Sequence, residues 1–257
     1  AALTGLAGEV PAISLGTGVV PLPSRHPELL AAAAATVAER SGGRLILGLG
    51  TGPAVPGALG RLRATLVALR RLFREGEAVL QGERLRLGLV PEVPPPIWIA
   101  ALGPRAVRMA GEVADGVILN WCTPERAAEA TGVIRAAAAE AGREPDAVTI
   151  AVYVRAALAA GTADAALAAA SEYGSYPGYA RQFVAMGIDP GDPASIVAAV
   201  CLTGDAGRSR LRLQAYRQAG ADLPVVYPVI RPPERWEHGV GRPQPGDALA
   251  TLRTLAP

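Results

Sequence analysis

Lysine is absent from this sequence, in which all 25 Lys and Arg residues are arginine. The absence excludes three classes of enzyme. A phosphate-binding loop of the Walker type requires a lysine, a pyridoxal enzyme requires a lysine for its Schiff base, and a protein kinase requires a lysine on its third strand. The chain therefore belongs to none of these classes.

The sequence is also poor in cysteine and has little excess charge of either sign. Its two cysteines, Cys122 and Cys201, follow no Cys-x-x-Cys spacing. Neither a disulfide framework nor a metal site is therefore expected, and both thiols are predicted to be buried apolar residues. The formal net charge is only +2 and the arginines are scattered along the chain. This distribution lacks the basic surface with which proteins bind nucleic acid, so no nucleic-acid partner is expected.

Long hydrophobic runs are missing as well. No apolar segment approaches the roughly 20 residues that a transmembrane helix needs. The first residues do not combine the basic start and the apolar centre of a secretion signal. We therefore expect no membrane partner and a cytoplasmic location.

Apolar strands and amphipathic helices alternate along all 257 residues, a pattern typical of an α/β protein with parallel strands. Six core strands are predicted over residues 13–20, 45–49, 97–100, 116–119, 148–154 and 225–227, and a short exposed strand over 82–87. Helices are predicted over residues 27–40, 61–74, 105–113, 124–141, 163–173, 179–186, 195–201, 208–219 and 247–255. Because the composition shows no linker-like change, residues 1–257 are predicted to form a single domain.

Three of the predicted strands end in loops with almost no side chains. The loops are Gly16-Thr17-Gly18 after Ile13-Ser14-Leu15, Gly48-Leu49-Gly50-Thr51-Gly52 after Leu45-Ile46-Leu47, and Ala101-Leu102-Gly103-Pro104 after Ile97-Trp98-Ile99-Ala100. Such loops let a flat or phosphorylated ligand approach the backbone closely. We therefore predict that a ligand binds at the carboxyl ends of the strands, as in a barrel. For Gly50-Thr51-Gly52, a dinucleotide fingerprint and an ordinary strand-to-helix turn stay open as alternatives.

Other candidate residues lie beside the strand ends. Pro104-Arg105 opens a helix, whose free N–H groups and arginine predict an anion site; a capped helix with a solvated arginine is the alternative. Asn120 and Trp121 end the strand that Asp115-Gly116 begins by turn chemistry. We expect Asn120 to bond a ligand and Trp121 to form a wall beside a flat ring.

Histidine is scarce, with two residues in the chain. His26 follows the first glycine turn and is the natural candidate for a general acid or base. The alternative is a helix-entry residue that bonds the backbone. His238 lies in a segment rich in proline and glycine, where a surface role is expected.

In this order and spacing, segments 15–19, 25–27, 33–36, 41–52, 99–104 and 110–116 resemble the bacterial luciferase-like oxidoreductases, especially the actinobacterial branch that uses the deazaflavin F420. The resemblance covers roughly residues 1–156. It implies an α/β fold, a TIM-type (β/α)8 barrel, and a cis peptide bond between Gly18 and Val19 behind the cofactor ring. It also implies which residues line the cofactor and its phosphate tail: Gly18, Val19, Gly50, Thr51, Gly52, Ala100, Ala101, Leu102 and Gly103.

The sequence departs from the family pattern in two places. The strand, helix and strand with which members begin have no counterpart before Ala1, so a barrel that lacks or does not show these elements is expected. Pro53 stands where some sugar-phosphate-oxidising members have an acidic residue, which argues against that substrate class.

The resemblance implies an F420-dependent oxidoreductase that transfers a hydride between the deazaflavin and a small organic substrate. In this hypothesis Arg105 balances the negative tail of the cofactor, while His26 and Trp121 face the ring or the substrate. The alternatives are an FMN-dependent monooxygenase of the same fold, a non-catalytic flavin-binding relative, and a barrel lyase or isomerase that acts on phosphates. The resemblance to the family suggests a homodimer.

Overall fold

The structure is a computed structural model, which describes residues 2–53, 55–231 and 245–256. His238 lies outside the described residues. The chain divides into two compact units, one formed by residues 1–118 and 133–149 and the other by residues 119–132 and 150–257. The single-domain assignment stays a prediction.

The described helices and strands follow the predicted alternation. The strands are β1 (Leu15–Gly16), β2 (Val20–Pro21), β3 (Leu45–Gly50), β4 (Glu77–Leu80), β5 (Glu83–Arg86), β6 (Ile97–Ala100), β7 (Gly116–Asn120), β8 (Thr149–Ala156) and β9 (Leu223–Pro228). The helices are α1 (Ala2–Glu9), α2 (Pro27–Arg40), α3 (Ala58–Glu75), α4 (Pro104–Val113), α5 (Pro124–Glu140), α6 (Ala163–Ser175), α7 (Pro177–Ala185), α8 (Pro193–Val200), α9 (Ala206–Gln218) and α10 (Pro245–Leu255).

The first unit is built on parallel strand pairs. β3 pairs with β1, β2 and β6, and β6 pairs with β7. β3 is buried along almost its whole length, as expected for a parallel strand covered on both faces. The class prediction, α/β with parallel strands, is confirmed.

One glycine permits the close approach of β3 to the chain after β1. A Cβ atom on Gly48 would lie 2.0 Å from the carbonyl oxygen of Thr17. The hydroxyl of Thr17 donates to the carbonyl of Gly48 and accepts from its N–H, each at 2.9 Å. Gly48 is therefore required by packing.

An aspartate fixes the amino-terminal edge of β6. Asp115 accepts from the N–H of Ile97 at 2.8 Å and from the guanidinium of Arg70 at 2.7 Å. In the second unit, Asp222 accepts from the N–H of Ile150 at 2.7 Å in the same way. The structural role predicted for Asp115 is confirmed, and its carboxylate acts through strand hydrogen bonds as well as through the turn.

The second unit contains the parallel pair β8 and β9, in which Arg155 lies opposite Tyr227. Its apolar cluster includes Trp121, Phe183 and Ile196, each at most 1% exposed. Cys201 belongs to the same cluster and Cys122 is also buried, so the prediction of buried free thiols is confirmed.

The structure differs from the predicted elements in three places. The predicted strand 13–20 is split into β1 and β2 by residues 17–19, which contain the cis bond between Gly18 and Val19. The short strand near residue 83 has a partner, β4, which forms an antiparallel hairpin with it. The strand predicted over 148–154 continues to Ala156 and so includes Arg155.

No helix among the described residues is long and apolar enough to cross a membrane. Nor do those residues contain a group of three or more histidine, cysteine or acidic side chains placed to hold a metal ion.

Candidate functional site

In the first unit, glycines occupy the carboxyl end of β3, and neighbouring side chains pack closely against their backbone. A Cβ atom on Gly50 would lie 2.7 Å from the Cγ2 of Val19. Gly52 has a φ of +68°, and a Cβ atom there would lie 2.9 Å from the Cδ of Pro23. Packing and backbone conformation thus account for both glycines, while the hydroxyl of Thr51 donates to the carbonyl of Gly52 at 3.0 Å. Cofactor contacts at Gly50, Thr51 and Gly52 stay predictions.

The Gly18–Val19 peptide bond is cis in the structure, as the resemblance implied. Val19 packs against the position where Gly50 lacks a side chain. Cofactor contact at Gly18 and Val19 stays a prediction.

The carboxyl end of β6 leads into an open helix start. A Cβ atom on Gly103 would meet no atom within 4 Å. Gly103 precedes α4 without capping it through a side chain, and Pro104 occupies the first turn. Among the described residues, the N–H groups of Leu102, Gly103 and Arg105 have no hydrogen-bond acceptor, whereas that of Ala101 is used by the carbonyl of Ile118 at 3.2 Å. Free N–H groups at a helix start are suited to an anion.

Arg105 adds positive charge to this helix start. Its side chain is exposed and forms no ion pair with any described residue. A phosphate group would therefore find three backbone donors and one guanidinium here, which fits the tail of a phosphorylated cofactor. Ala100, the last residue of β6, and the buried Ala101 precede this helix start.

His26 is the N-terminal cap of α2. Its Nδ1 accepts from the N–H of Glu28 at 3.3 Å, and its Nε2 lies 3.4 Å from a carboxylate oxygen of Glu83. Its side chain is 41% exposed. This arrangement supports the alternative of a helix-entry residue, and a role as general acid or base stays a prediction.

In the second unit, a buried arginine lies at the carboxyl end of β8. Arg155 is 7% exposed and is the only buried arginine among the described residues. Its Nη1 donates to the Oδ1 of Asn120 at 2.6 Å. Its guanidinium carbon lies 3.9 Å from the ring centroid of Trp121, 4.8 Å from that of Tyr173 and 5.1 Å from that of Tyr227. We call Arg155, Asn120, Trp121, Tyr173, Tyr179 and Tyr227 the arginine cluster.

Asn120 is held in one orientation within the arginine cluster. While its Oδ1 accepts from Arg155, its Nδ2 donates to the hydroxyl of Tyr179 at 3.2 Å. Burial raises the pKa of the Tyr179 hydroxyl, so it is neutral at physiological pH. Both polar ends of Asn120 are therefore occupied by the protein. Its predicted contact with a cofactor is not tested by these bonds and stays a prediction.

The ring of Trp121 packs against the guanidinium of Arg155. Trp121 is 1% exposed, lies 4.9 Å from the ring of Tyr173 and 6.0 Å from that of Phe183, and has a positive φ of 51°. Gln182 holds this turn by donating to the carbonyls of Asn120 and Trp121 at 2.9 and 2.7 Å. The packing assigns Trp121 a supporting position, and a direct catalytic role stays a prediction.

Sequence reasoning missed five residues of this region: Arg155, Tyr173, Tyr179, Tyr227 and Gln182. One feature of the sequence points to the first of them. Arg155 is the single charged residue in the apolar run of β8 and stands next to its carboxyl end, where barrel enzymes place functional side chains. Tyr173 lies on α6, Tyr179 and Gln182 lie on α7, and Tyr227 lies on β9. Their partners are set by tertiary packing.

Comparison with known proteins places the chain in a family. The model of the family described as luciferase-like monooxygenase matches residues 1–223. The chain belongs to the luciferase-like monooxygenase family. The resemblance inferred from its motifs is thereby confirmed.

Two curated relatives of this luciferase-like protein are oxidoreductases by name. A 5,10-methylenetetrahydromethanopterin reductase of Methanolobus tindarius is 34% identical over 164 residues, 59% of this chain and 50% of the relative. An F420-dependent hydroxymycolic acid dehydrogenase of Mycobacterium tuberculosis is 34% identical over 155 residues, 52% of this chain and 42% of the relative. The chain thus spans about half the length of the curated relatives that it matches.

A solved structure supports the fold of the luciferase-like protein. The coenzyme F420 dependent tetrahydromethanopterin reductase from Methanopyrus kandleri aligns with a TM-score of 0.68 at 23% identity, covering 88% of this chain and 80% of the other. At this identity the likeness concerns the fold alone. It confirms the prediction of a luciferase-like, TIM-type α/β fold.

Proposed function

We propose that this luciferase-like protein is an F420-dependent oxidoreductase that transfers a hydride between the deazaflavin and a small organic substrate. The observation that carries the proposal is the open start of α4, where the space beside Gly103, the free N–H groups and Arg105 are suited to a phosphate. The F420-dependent dehydrogenase among the relatives supports the choice of deazaflavin.

In this proposal the protein supplies binding and orientation. Leu102, Gly103 and Arg105 would hold the phosphate tail by backbone N–H groups and one positive charge. The backbone at Gly18, Val19, Gly50, Thr51 and Gly52 would line the ring. The bound deazaflavin supplies the chemistry, which is the exchange of a hydride.

FMN is the alternative cofactor, and the family description as a monooxygenase supports it. The same helix start fits the phosphate of FMN, because the donors recognise charge and not the ring. In this case the reaction would be an oxygen-dependent monooxygenation. A small organic substrate, a homodimer and a cytoplasmic location stay predictions.

The test is a fluorescence titration of the purified protein with F420 and with FMN. We expect tighter binding of F420, and we expect Gly103→Val to weaken it about tenfold or more because the new side chain fills the space for the phosphate. Gly88→Val is the matched control. Gly88 is also exposed and lacks a positive φ, and a Cβ atom there would likewise meet no atom within 4 Å.

The outcomes separate the hypotheses. Preference for FMN would replace the deazaflavin assignment by the monooxygenase alternative. Unchanged F420 affinity in Gly103→Val would remove the α4 start from the site. Binding of neither cofactor by the folded protein would overturn the proposed function.

A further inference from the structure

The second unit contains a buried positive charge that no described acidic group balances. Arg155 has five N–H donors, and a single side chain, Asn120, accepts from one of them. The titratable groups nearest to Arg155 are three tyrosines and Cys201, and no described carboxylate is among them. A buried ion without a counter-ion is strongly unfavourable, because burial removes its hydration.

Other charged side chains of this protein are paired with acceptors in the protein itself. The other buried charged residue among the described residues, Asp247, forms a bidentate ion pair with Arg231. Arg44 donates to the carbonyls of Ala7, Val10, Ile13 and Ser41. Arg143 donates to two carbonyls in the first unit. Each of these arginines has two or more acceptor atoms in the protein, whereas Arg155 is more deeply buried and has one.

The aromatic rings around Arg155 compensate for part of its lost hydration. Trp121, Tyr173 and Tyr227 contribute cation–π contacts to the guanidinium. These contacts attract the charge but supply no oxygen acceptor for its N–H donors. Apart from the donor bonded to Asn120, the N–H donors of Arg155 therefore have no oxygen acceptor among the described residues.

Arg155 and two of its neighbours lie at the carboxyl ends of strands, where barrel enzymes bind ligands. Asn120 is the last residue of β7, and Arg155 and Tyr227 are each the last but one of β8 and β9. In barrels of this type, residues at the carboxyl ends of strands contact ligands, while those at the opposite ends stabilise the fold. Asp222, which pins the start of β8 to the chain before β9, illustrates the second class.

We propose that Arg155 binds an oxyanion of a ligand, a carboxylate or a phosphate, in a bidentate manner, with Asn120 as the positioning residue that orients the guanidinium. The oxyanion belongs either to the substrate or to the phosphate of the cofactor; the second source would replace the α4 start as the site of that phosphate, and to that extent the assignment rests on the proposed function. The planar fork of arginine matches both groups geometrically.

The first test uses simple anions and needs no activity. Inorganic phosphate and acetate are titrated into the protein, with Trp121 as the fluorescent reporter in a background where Trp98 and Trp236 are replaced by phenylalanine. The thermal unfolding midpoint is followed in parallel in the unaltered protein. We expect saturable changes in the tryptophan emission and an upward shift of the midpoint with anion concentration.

Three variants decide whether Arg155 is responsible. Arg155→Met should lose the anion response, and Arg155→Lys should keep part of it, because the charge stays but the fork is lost. Asn120→Asp should raise the midpoint and abolish the response, because it places a carboxylate where the 2.6 Å bond to Arg155 now ends. Arg44→Met is the matched control and should respond as the wild type does.

Each contrary result is informative. An anion response that persists in Arg155→Met, or a wild-type protein that responds to neither anion, would overturn the assignment. If Arg155→Met is too unstable to measure, Asn120→Asp alone decides: a lowered midpoint with a retained response would also overturn it.

A second titration identifies the source of the oxyanion. F420 and the same deazaflavin without its phosphate tail are bound to wild type and to Arg155→Met. About tenfold weaker binding of F420 alone assigns the oxyanion to the cofactor tail. Equal affinities of F420 for wild type and for Arg155→Met assign the oxyanion to the substrate. Failure of wild type to bind either deazaflavin, with the simple-anion response intact, would refute the proposed cofactor and leave the oxyanion site standing.

Discussion

The guanidinium of Arg155 rests 3.9 Å from the centre of the Trp121 ring, and both side chains are almost completely buried. Arg155 reaches this place from β8, and Trp121 from the turn after β7. The contact therefore joins the carboxyl ends of two strands through one cation–π pair. Together with the hydrogen bond to Asn120 it holds the guanidinium in place, as a preorganised binding group requires.

The support given by Trp121 predicts different outcomes for two substitutions. Trp121→Leu removes the cation–π contact with Arg155 and the contacts with Tyr173 and Phe183, and should lower the free energy of unfolding by about 3 kcal/mol or more. Trp121→Phe keeps a ring and also removes the buried indole N–H, which has no acceptor among the described residues. It should cost less, about 1–2 kcal/mol. Urea unfolding of both variants is the measurement, and equal losses would contradict the role of the ring.

The bonds from Gln182 predict a second effect on the same turn. Gln182→Leu removes both donors to the carbonyls of Asn120 and Trp121 while keeping a similar volume, and leaves these buried acceptors unpaired. A loss of about 1–3 kcal/mol in the free energy of unfolding is expected. Gln182→Glu tests the same bonds with the amide donor removed and the shape kept. If neither variant is less stable in urea, the turn is held by packing alone.

The packing of β3 against the chain after β1 predicts a severe effect at one glycine. Gly48→Ala would bring a methyl group to 2.0 Å from the carbonyl of Thr17, so the strands must separate. We expect a loss of about 3 kcal/mol or more, or failure to fold. Gly60→Ala is the control: it lies in α3 with no atom within 4 Å, and should stabilise the helix by about 0.5–1 kcal/mol. Urea unfolding compares the two, and a Gly48→Ala protein as stable as wild type would refute the close approach.

Much of the fold follows from local sequence rules. α2 begins at Pro27 and ends at Arg40, as predicted, since a proline at the first turn and an alanine-rich apolar face define it. The apolar runs before the glycine loops are buried parallel strands, as predicted. The hairpin strand β4 was missed, because Glu77–Leu80 is short and partly exposed and gains its stability from the antiparallel partner.

The candidate site could be predicted in part only. The glycine loops at the ends of β3 and β6 are recognisable from the local sequence alone. Both could therefore be proposed as ligand-binding positions. His26 was singled out because histidine is scarce in the chain. In the structure it caps α2, a role that scarcity does not indicate. The arginine cluster depends on residues from β7, β8, β9, α6 and α7, whose meeting is fixed by tertiary contacts that no local pattern records.

The buried thiols predict how stability depends on alkaline pH. Burial raises the pKa of Cys122 to about 12 and that of Cys201 to about 11, whereas an exposed thiol in the unfolded chain ionises near pH 8.5. Between these values the unfolded state loses protons that the folded state retains. The stabilising contribution is therefore complete below the unfolded pKa and is lost as pH rises through it towards the folded pKa.

The expected slope is about 1.4 kcal/mol per pH unit for each thiol between its unfolded and folded pKa. Urea unfolding under reducing conditions, from neutral pH to about pH 10, measures it. Cys122→Ala should be less stable at neutral pH because of lost packing, yet its stability should fall less steeply with pH, since one of the two raised pKa values is gone. Burial also raises the pKa of the Tyr216 hydroxyl, which donates to the carbonyl of Cys122 at 2.6 Å and steepens the decline only above the ordinary tyrosine pKa. An identical slope in wild type and Cys122→Ala would show that the Cys122 thiol ionises as readily in the folded protein as in the unfolded chain.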